Sequence, residues 1–254
     1  MEGEGRLPGD PAISRRIESG TDTLDMTTAL QTKLSSGTAP MPSSHATDRR
    51  PTPAFDVRNK HVYMVGIGGC GMSGLARLLR TRGALVAGSD NTRSEATQAL
   101  ENEGVRVGFE QMSAPLPEAC DLLVHSAAIK PDHPELVAAV NRGIPTLAYA
   151  EALGRCMIGR TGVSIAGTHG KSTTTAMLGV ALTDAGLDPS VIVGATSSQL
   201  LAGTRAPLGA PSGFRLGTDR IPEGGLKGRP GVLVAEVCEF NRSFHHHFPT
   251  VASI

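Results

Sequence analysis

One pattern constrains this chain more than any other: a short apolar run passes through a glycine-rich turn into a helix-forming segment, and it does so twice. The first copy is HVYMVGIGGCGMSGLARLLRTRG, starting at His61, and the second is TGVSIAGTHGKSTTTAMLGVALTDAG, starting at Thr161. A short β-branched run ending in glycine reads as a strand buried on both faces. Leu75, Leu78 and Leu79 then recur at helical spacing, and Gly83 ends the helix. A strand that feeds a helix in this way is half of a βαβ unit. All-helical and all-antiparallel folds are thereby excluded.

The alternation continues. ALVAGSD (84–90), VRVGF (105–109), DLLVHSA (121–127) and IPTLA (144–148) read as strands. Residues 94–103, 134–141 and a stretch through about Cys156 read as the helices between and after them. Beyond Arg160, TGVSIAG (161–167), PSVIVGA (189–195) and GVLVAEV (231–237) read as buried strands, and VASI (251–254) as the start of another. Residues 202–231 are rich in glycine, proline and charge and read as one long loop. The expected class is α/β: a Rossmann-like parallel-sheet domain over 57–158, followed by a P-loop-type α/β domain over 159–254. Residues 1–56 are dominated by Ser, Thr, Pro, Gly and charge. They read as a disordered tail, with short helices conceivable at 13–18 or 23–34.

Composition narrows the partners. Lys+Arg and Asp+Glu are both 24, so the net charge is zero, and there is no Trp. A nucleic-acid binder normally has a basic excess and aromatic stacking platforms, so neither nucleic-acid class is expected. No apolar run reaches the ~18 residues needed to cross a bilayer, and the polar start lacks a signal-peptide pattern, so membrane insertion is not expected and the cytoplasm is. The four cysteines (Cys70, Cys120, Cys156, Cys238) are scattered. They form neither a disulfide framework nor a zinc site.

The two turns differ in the chemistry they offer. Gly66-Ile67-Gly68-Gly69-Cys70-Gly71 fits G-x-G-x-x-G between a strand and a helix, and Asp90 ends the next strand about 20 residues on. Such glycines let backbone N–H groups and a helix N-terminus approach a diphosphate. Cys70 at that terminus reads as small filler. The second turn, Gly167-Thr168-His169-Gly170-Lys171-Ser172-Thr173, is a short relative of the P-loop. Its backbone would cradle the phosphates of ATP, Lys171 would reach the β- and γ-phosphates, and Ser172 would bind Mg²⁺. Glu236 ends the strand VLVAE, a Walker-B-like place for a second Mg²⁺ ligand. Three readings follow. An ATP-driven enzyme whose other substrate carries a nucleotide diphosphate uses both turns. An NAD-dependent oxidoreductase would use only the first, and a non-catalytic nucleotide-binding module would bind without turnover.

These segments resemble the Mur ligase family, the ATP-dependent amide ligases of peptidoglycan assembly, from about His61 to Ile254. GIGGCGMSGLA (66–76) is similar to that family's UDP-substrate loop, HSAAIKPDHPEL (125–136) to its strand and loop after the fourth strand, and AGTHGKSTTTAM (166–177) to its ATP loop. AEVCEFNRSF (235–244) is similar to its acidic segment, with Glu236 and Glu239 kept but Cys238 and Asn241 where carboxylates are usual. His125 also stands where serine is frequent, and His245, His246 and His247 read as surface or loop residues.

The GIGGCGMSG string resembles the alanine-adding branch, which implies UDP-N-acetylmuramate and L-alanine as substrates. The branch that recycles muramyl peptides is a runner-up. The resemblance assigns Gly66, Gly68, Gly69, Gly71, Ser73, Asp90 and Ser126 to the UDP substrate and Lys171 and Glu236 to catalysis. It also implies a downstream metal-binding segment and a third domain that this sequence lacks, so the ATP-binding domain reads as incomplete.

Overall fold

The computed structural model describes residues 55–110, 116–201, 203–204, 213–237, 247 and 249–253. They lie in a compact unit spanning Thr52–Ile254. Residues 1–54 of the expected tail, with its short helices, fall outside the described residues, as do Cys238, Glu239, Asn241, His245 and His246. The tail expected to run to 56 ends earlier, because Phe55 packs against the core.

In chain order the first half contains β1 (His61–Val65), α1 (Cys70–Thr81), β2 (Leu85–Ser89), α2 (Glu95–Asn102), β3 (Arg106–Gly108), β4 (Leu122–His125), α3 (Pro134–Asn141), β5 (Thr146–Ala148) and α4 (Tyr149–Met157). Its five strands are parallel in the order β3-β2-β1-β4-β5. The order reverses between β1 and β4. That reversal opens a crevice at the carboxyl ends of those strands, where ligands bind in doubly wound sheets. The apolar run predicted for β1 is buried from Val62 to Val65. Leu75, Leu78 and Leu79 of α1 are fully buried, each contributing about 1.5–3 kcal/mol by leaving water.

The second half contains β6 (Thr161–Ile165), α5 (Lys171–Asp184), β7 (Ser190–Ile192), β8 (Phe214–Arg215), β9 (Val232–Glu236) and β10 (Val251–Ser253). The sheet order is β10-β6-β9-β7-β8. The segment read as the start of a last strand pairs in parallel with β6, Val251 opposite Val163. β6 therefore has a partner on each side, and its carboxyl end faces that of β9.

Two expectations need correction. The stretch 202–231 is not one loop throughout, because Phe214–Arg215 forms β8, antiparallel to β7. Phe214 is buried. Arg215, also buried, donates to the Pro189 carbonyl at 2.6 Å and to Asp188 Oδ1 at 2.8 Å. A two-residue strand held by such distant partners has no period for a sequence reading to detect. His247 lies in a loop, as one of the two readings has it, but not at the surface. It is 7% exposed, with Nδ1 3.3 Å from the Ser164 hydroxyl of β6.

The division expected at 158/159 falls between α4 and β6, and so between the sheets. Apolar side chains from both halves nonetheless share one core cluster. Leu75, Leu79 and Met157 meet Ile192, Phe214, Leu233 and Ala235 in it.

Candidate functional site

The first turn leaves β1 at the point where the strand order reverses. Gly66 has φ +78°, a conformation that glycine adopts without a Cβ penalty. The Gly66 and Ile67 N–H groups donate to the Ser89 carbonyl at 2.8 and 3.0 Å, which fixes the turn to the end of β2. Gly68 N–H donates to Asp90 Oδ2 at 2.8 Å. A Cβ at Gly68 would sit 2.6 Å from Thr97 Cγ2 and 2.9 Å from Asp90 Oδ2, and one at Gly71 would sit 2.6 Å from the Tyr149 hydroxyl. Glycine at both positions is thus set by close neighbours as well as by any ligand. Gly69 is the N-cap of α1, with no side chain capping it.

Three residues assigned to the same ligand are placed less simply. Asp90 already accepts the Gly68 N–H through Oδ2 and the Thr92 N–H through Oδ1 at 3.1 Å. Its carboxylate braces the turn from beneath. Ser73 is buried inside α1, and its hydroxyl donates to the Cys70 carbonyl at 3.0 Å, away from the mouth of the turn. Ser126, at the end of β4, lies across from the turn. Its Cβ is 3.0 Å from where a Gly66 Cβ would be, and its hydroxyl accepts the Ala128 N–H at 3.3 Å.

The second turn leaves β6. Gly167 (φ +127°) and Gly170 (φ +76°) are both left-handed, and Gly170 is the N-cap of α5, again with no side-chain cap. Thr168, His169, Gly170 and Thr173 are exposed, while Lys171 and Ser172 are half-buried. The Lys171 ammonium folds back to donate to the Gly167 carbonyl at 2.5 Å, closing the turn into a ring of backbone. The other helices differ in a telling way. α2 is capped by the Ser94 hydroxyl, α3 by the His133 ring, and in α4 Glu151 reaches back to the Ala148 N–H. Among the described α-helices, α1 and α5 begin on a glycine N-cap that has no side chain to cap the helix. Such an end favours an anion.

Glu236 ends β9, opposite Ile165 at the end of β6. It therefore stands at the same sheet edge as the second turn. Its Oε2 is buried with no hydrogen-bond partner, a costly state for a carboxylate unless a cation completes it. Gly194, just past β7, makes room for it, since a Cβ there would meet Glu236 Oε1 and Cδ. Among the described residues no three His, Cys, Asp or Glu side chains gather as a ready-made metal cage. Magnesium does not need one: it keeps several waters and takes one or two protein oxygens plus phosphate. Glu236 with the Ser172 hydroxyl fits that requirement.

Thr97, Tyr149 and Gly194 were missed in the sequence. The glycine closing the VIVG run was the one available signal, and the other two act through distant packing that no local pattern encodes.

Fold and site together define an α/β protein of largely parallel sheets, with a glycine turn between strand and helix on each of two successive sheets. Residues 61–161 match the family model for the Mur ligase family, catalytic domain, and the chain belongs to the Mur ligase family. It is 43% identical over 192 residues to the UDP-N-acetylmuramate–L-alanine ligase of Kineococcus radiotolerans, covering 75% of this chain and 36% of that protein. It is 40% identical over 200 residues to the ligase of the same name from Sorangium cellulosum, covering 79% and 38%. The chain thus spans little more than a third of the relatives it matches.

Among solved structures it is similar to the Neisseria meningitides UDP-N-acetylmuramate:L-alanyl-gamma-D-glutamyl-meso-diaminopimelate ligase, with TM-score 0.65, 27% identity, and 76% and 59% of the two chains covered. It shares its fold with the Thermotoga maritima UDP-N-acetylmuramate–alanine ligase at TM-score 0.62 and 24% identity, covering 76% of this chain and 40% of the other.

Proposed function

We propose that the chain carries the two nucleotide-binding parts of an ATP-dependent ligase that joins L-alanine to UDP-N-acetylmuramate in peptidoglycan synthesis, acting in the cytoplasm. The pair of uncapped glycine turns is the observation that supports this most. A nicotinamide oxidoreductase has no use for the second turn. No helix among the described residues is long and apolar enough to cross a membrane.

In this reading the UDP diphosphate lies against the turn formed by Gly66, Gly68, Gly69 and Gly71 at the start of α1, with Ser126 at the facing wall of the crevice. The Gly66, Gly68 and Gly69 N–H groups of that turn are bonded within the protein and shape its surface. Asp90 and Ser73 support that surface from within. Gly167, Thr168, His169, Gly170 and Thr173 wrap the ATP phosphates. Lys171 exchanges its bond to the Gly167 carbonyl for the β- and γ-phosphates and neutralises charge that develops as the γ-phosphoryl group leaves. Ser172 and Glu236 would hold Mg²⁺, which when bound supplies charge neutralisation on the phosphate oxygens. The lactyl carboxylate of the sugar takes the phosphoryl group to give an acyl phosphate. The alanine amine attacks its carbonyl and phosphate departs. The protein's task in both steps is positioning and charge balance.

Titration calorimetry tests this. UDP-N-acetylmuramate and ATP with Mg²⁺ are expected to bind together, one of each per chain, each with its stoichiometry unchanged when the other is saturating. Mutual exclusion, or a single site for both, overturns the proposal.

A further inference from the structure

A buried polar cluster lies behind the first turn, and nothing in the proposed chemistry uses it. Glu135, in the first turn of α3, is 2% exposed. Its carboxylate accepts two buried hydroxyls: Tyr63 of β1 donates to Oε1 at 2.8 Å and Ser89 of β2 to Oε2 at 2.7 Å. The Glu135 N–H donates in turn to His133 Nδ1 at 3.3 Å. Burial and the adjacent carboxylate push the Tyr63 phenol far above its ordinary value, so it stays a donor. One side chain thus joins a helix to the central strand β1 and its neighbour β2.

The position of Ser89 gives this cluster its consequence. Its carbonyl accepts the N–H groups of both Gly66 and Ile67, and its chain neighbour Asp90 accepts that of Gly68. Three successive N–H groups of the glycine turn therefore hang on two residues, and the Ser89 side chain is tied to Glu135. α3 also follows the segment that begins at Ser126, whose carbonyl accepts the Ile129 N–H at 3.1 Å. We infer that Glu135 is a positioning residue for the diphosphate site. By clamping the Ser89 hydroxyl, it sets where the Gly66–Gly68 backbone stands relative to the incoming phosphates. A site held by locked supporting groups loses affinity when that support is loosened, even though no ligand contact is removed.

This inference rests on the reading that the first turn binds UDP-N-acetylmuramate. Its test uses the 254-residue chain, with calorimetric titration of UDP-N-acetylmuramate and, separately, of ATP with Mg²⁺. Ser89→Ala removes one hydroxyl at a buried site and leaves the backbone pairing of β2 in place. It is expected to weaken UDP-N-acetylmuramate binding about tenfold, by analogy with other supporting groups, while ATP affinity stays as in the wild type. Glu135→Gln keeps the shape but offers one acceptor where two are needed, and it should show the same selective loss. If Glu135→Gln does not fold, Ser89→Ala decides alone. Wild-type chain that binds UDP-N-acetylmuramate together with a Ser89→Ala variant that binds it equally well overturns the inference. Parallel loss of both ligands in Ser89→Ala also overturns it, since a general weakening of the fold would then be the cause. Wild-type chain that does not bind UDP-N-acetylmuramate overturns the functional reading, and the inference with it.

Discussion

At the scale of single residues, each turn depends on one side chain or its absence. Alanine at Gly68 would press its Cβ against Thr97 and against the Asp90 oxygen that accepts the Gly68 N–H. Gly68→Ala is therefore expected to weaken UDP-N-acetylmuramate binding by about tenfold or more, with ATP affinity unchanged, as read by calorimetry. Lys171→Ala removes a charge-assisted contact worth about 1.5–3 kcal/mol. ATP affinity should fall by the corresponding ~10–150-fold. Retained ATP affinity in that variant would remove Lys171 from the site. The residue types in both turns were legible in the sequence because backbone geometry demands glycine and phosphate demands lysine. The bond between Asp90 and the Gly68 N–H was not, since it joins residues 22 positions apart in the chain. The buried state of His247 was hidden for the same reason, because its partner is on β6.

At the scale of elements, the sheet and helices are pinned by a few polar contacts of very different worth. Arg77 of α1 holds Glu103, just past α2, through Nε–Oε1 at 2.9 Å, Nε–Oε2 at 3.1 Å and Nη2–Oε1 at 2.8 Å, and both side chains are buried. Removing one partner strands a buried charge, so Glu103→Ala should cost about 3–5 kcal/mol in denaturant unfolding.

Asp121 is exposed and accepts the His61 N–H at 2.7 Å, tying the start of β1 to the start of β4. That bond lowers the Asp121 carboxyl below its ordinary 3.8. A depressed folded value means the contribution is present above pH 3.8 and is lost as pH falls through the lower folded value. The stability gap between wild type and Asp121→Ala should therefore be small at neutral pH and close at more acidic pH. A gap that persists unchanged in acid contradicts the assignment. Elements such as β1 and β9 were readable from continuous apolar runs next to glycine or an acid, and α1 from the helical spacing of Leu75, Leu78 and Leu79. β8 was not, because its two residues are held by pairing with β7 and by the bonds of Arg215 to Asp188 and Pro189.

At the scale of the whole molecule, the two sheets are joined through α1. Gly74 faces the second half: a Cβ there would lie 3.2 Å from Ile192 Cγ2 and 3.7 Å from the Phe214 Cβ. With the core cluster continuous across both sheets, calorimetric and van't Hoff enthalpies of unfolding should agree, as for one cooperative unit. Two separated transitions would contradict the shared core. The alternation of strand and helix announced two sheets. The shared core was invisible, because it depends on which faces meet and not on the pattern within either half.

The central claim is that the first turn takes the diphosphate of a UDP-sugar and not that of a dinucleotide. Titrating the 254-residue chain with UDP-N-acetylmuramate and with NAD tests it most directly. The account predicts saturable one-to-one binding of UDP-N-acetylmuramate, weakened in Gly68→Ala, and no heat of binding with NAD. Binding of NAD in place of the UDP-sugar would contradict it.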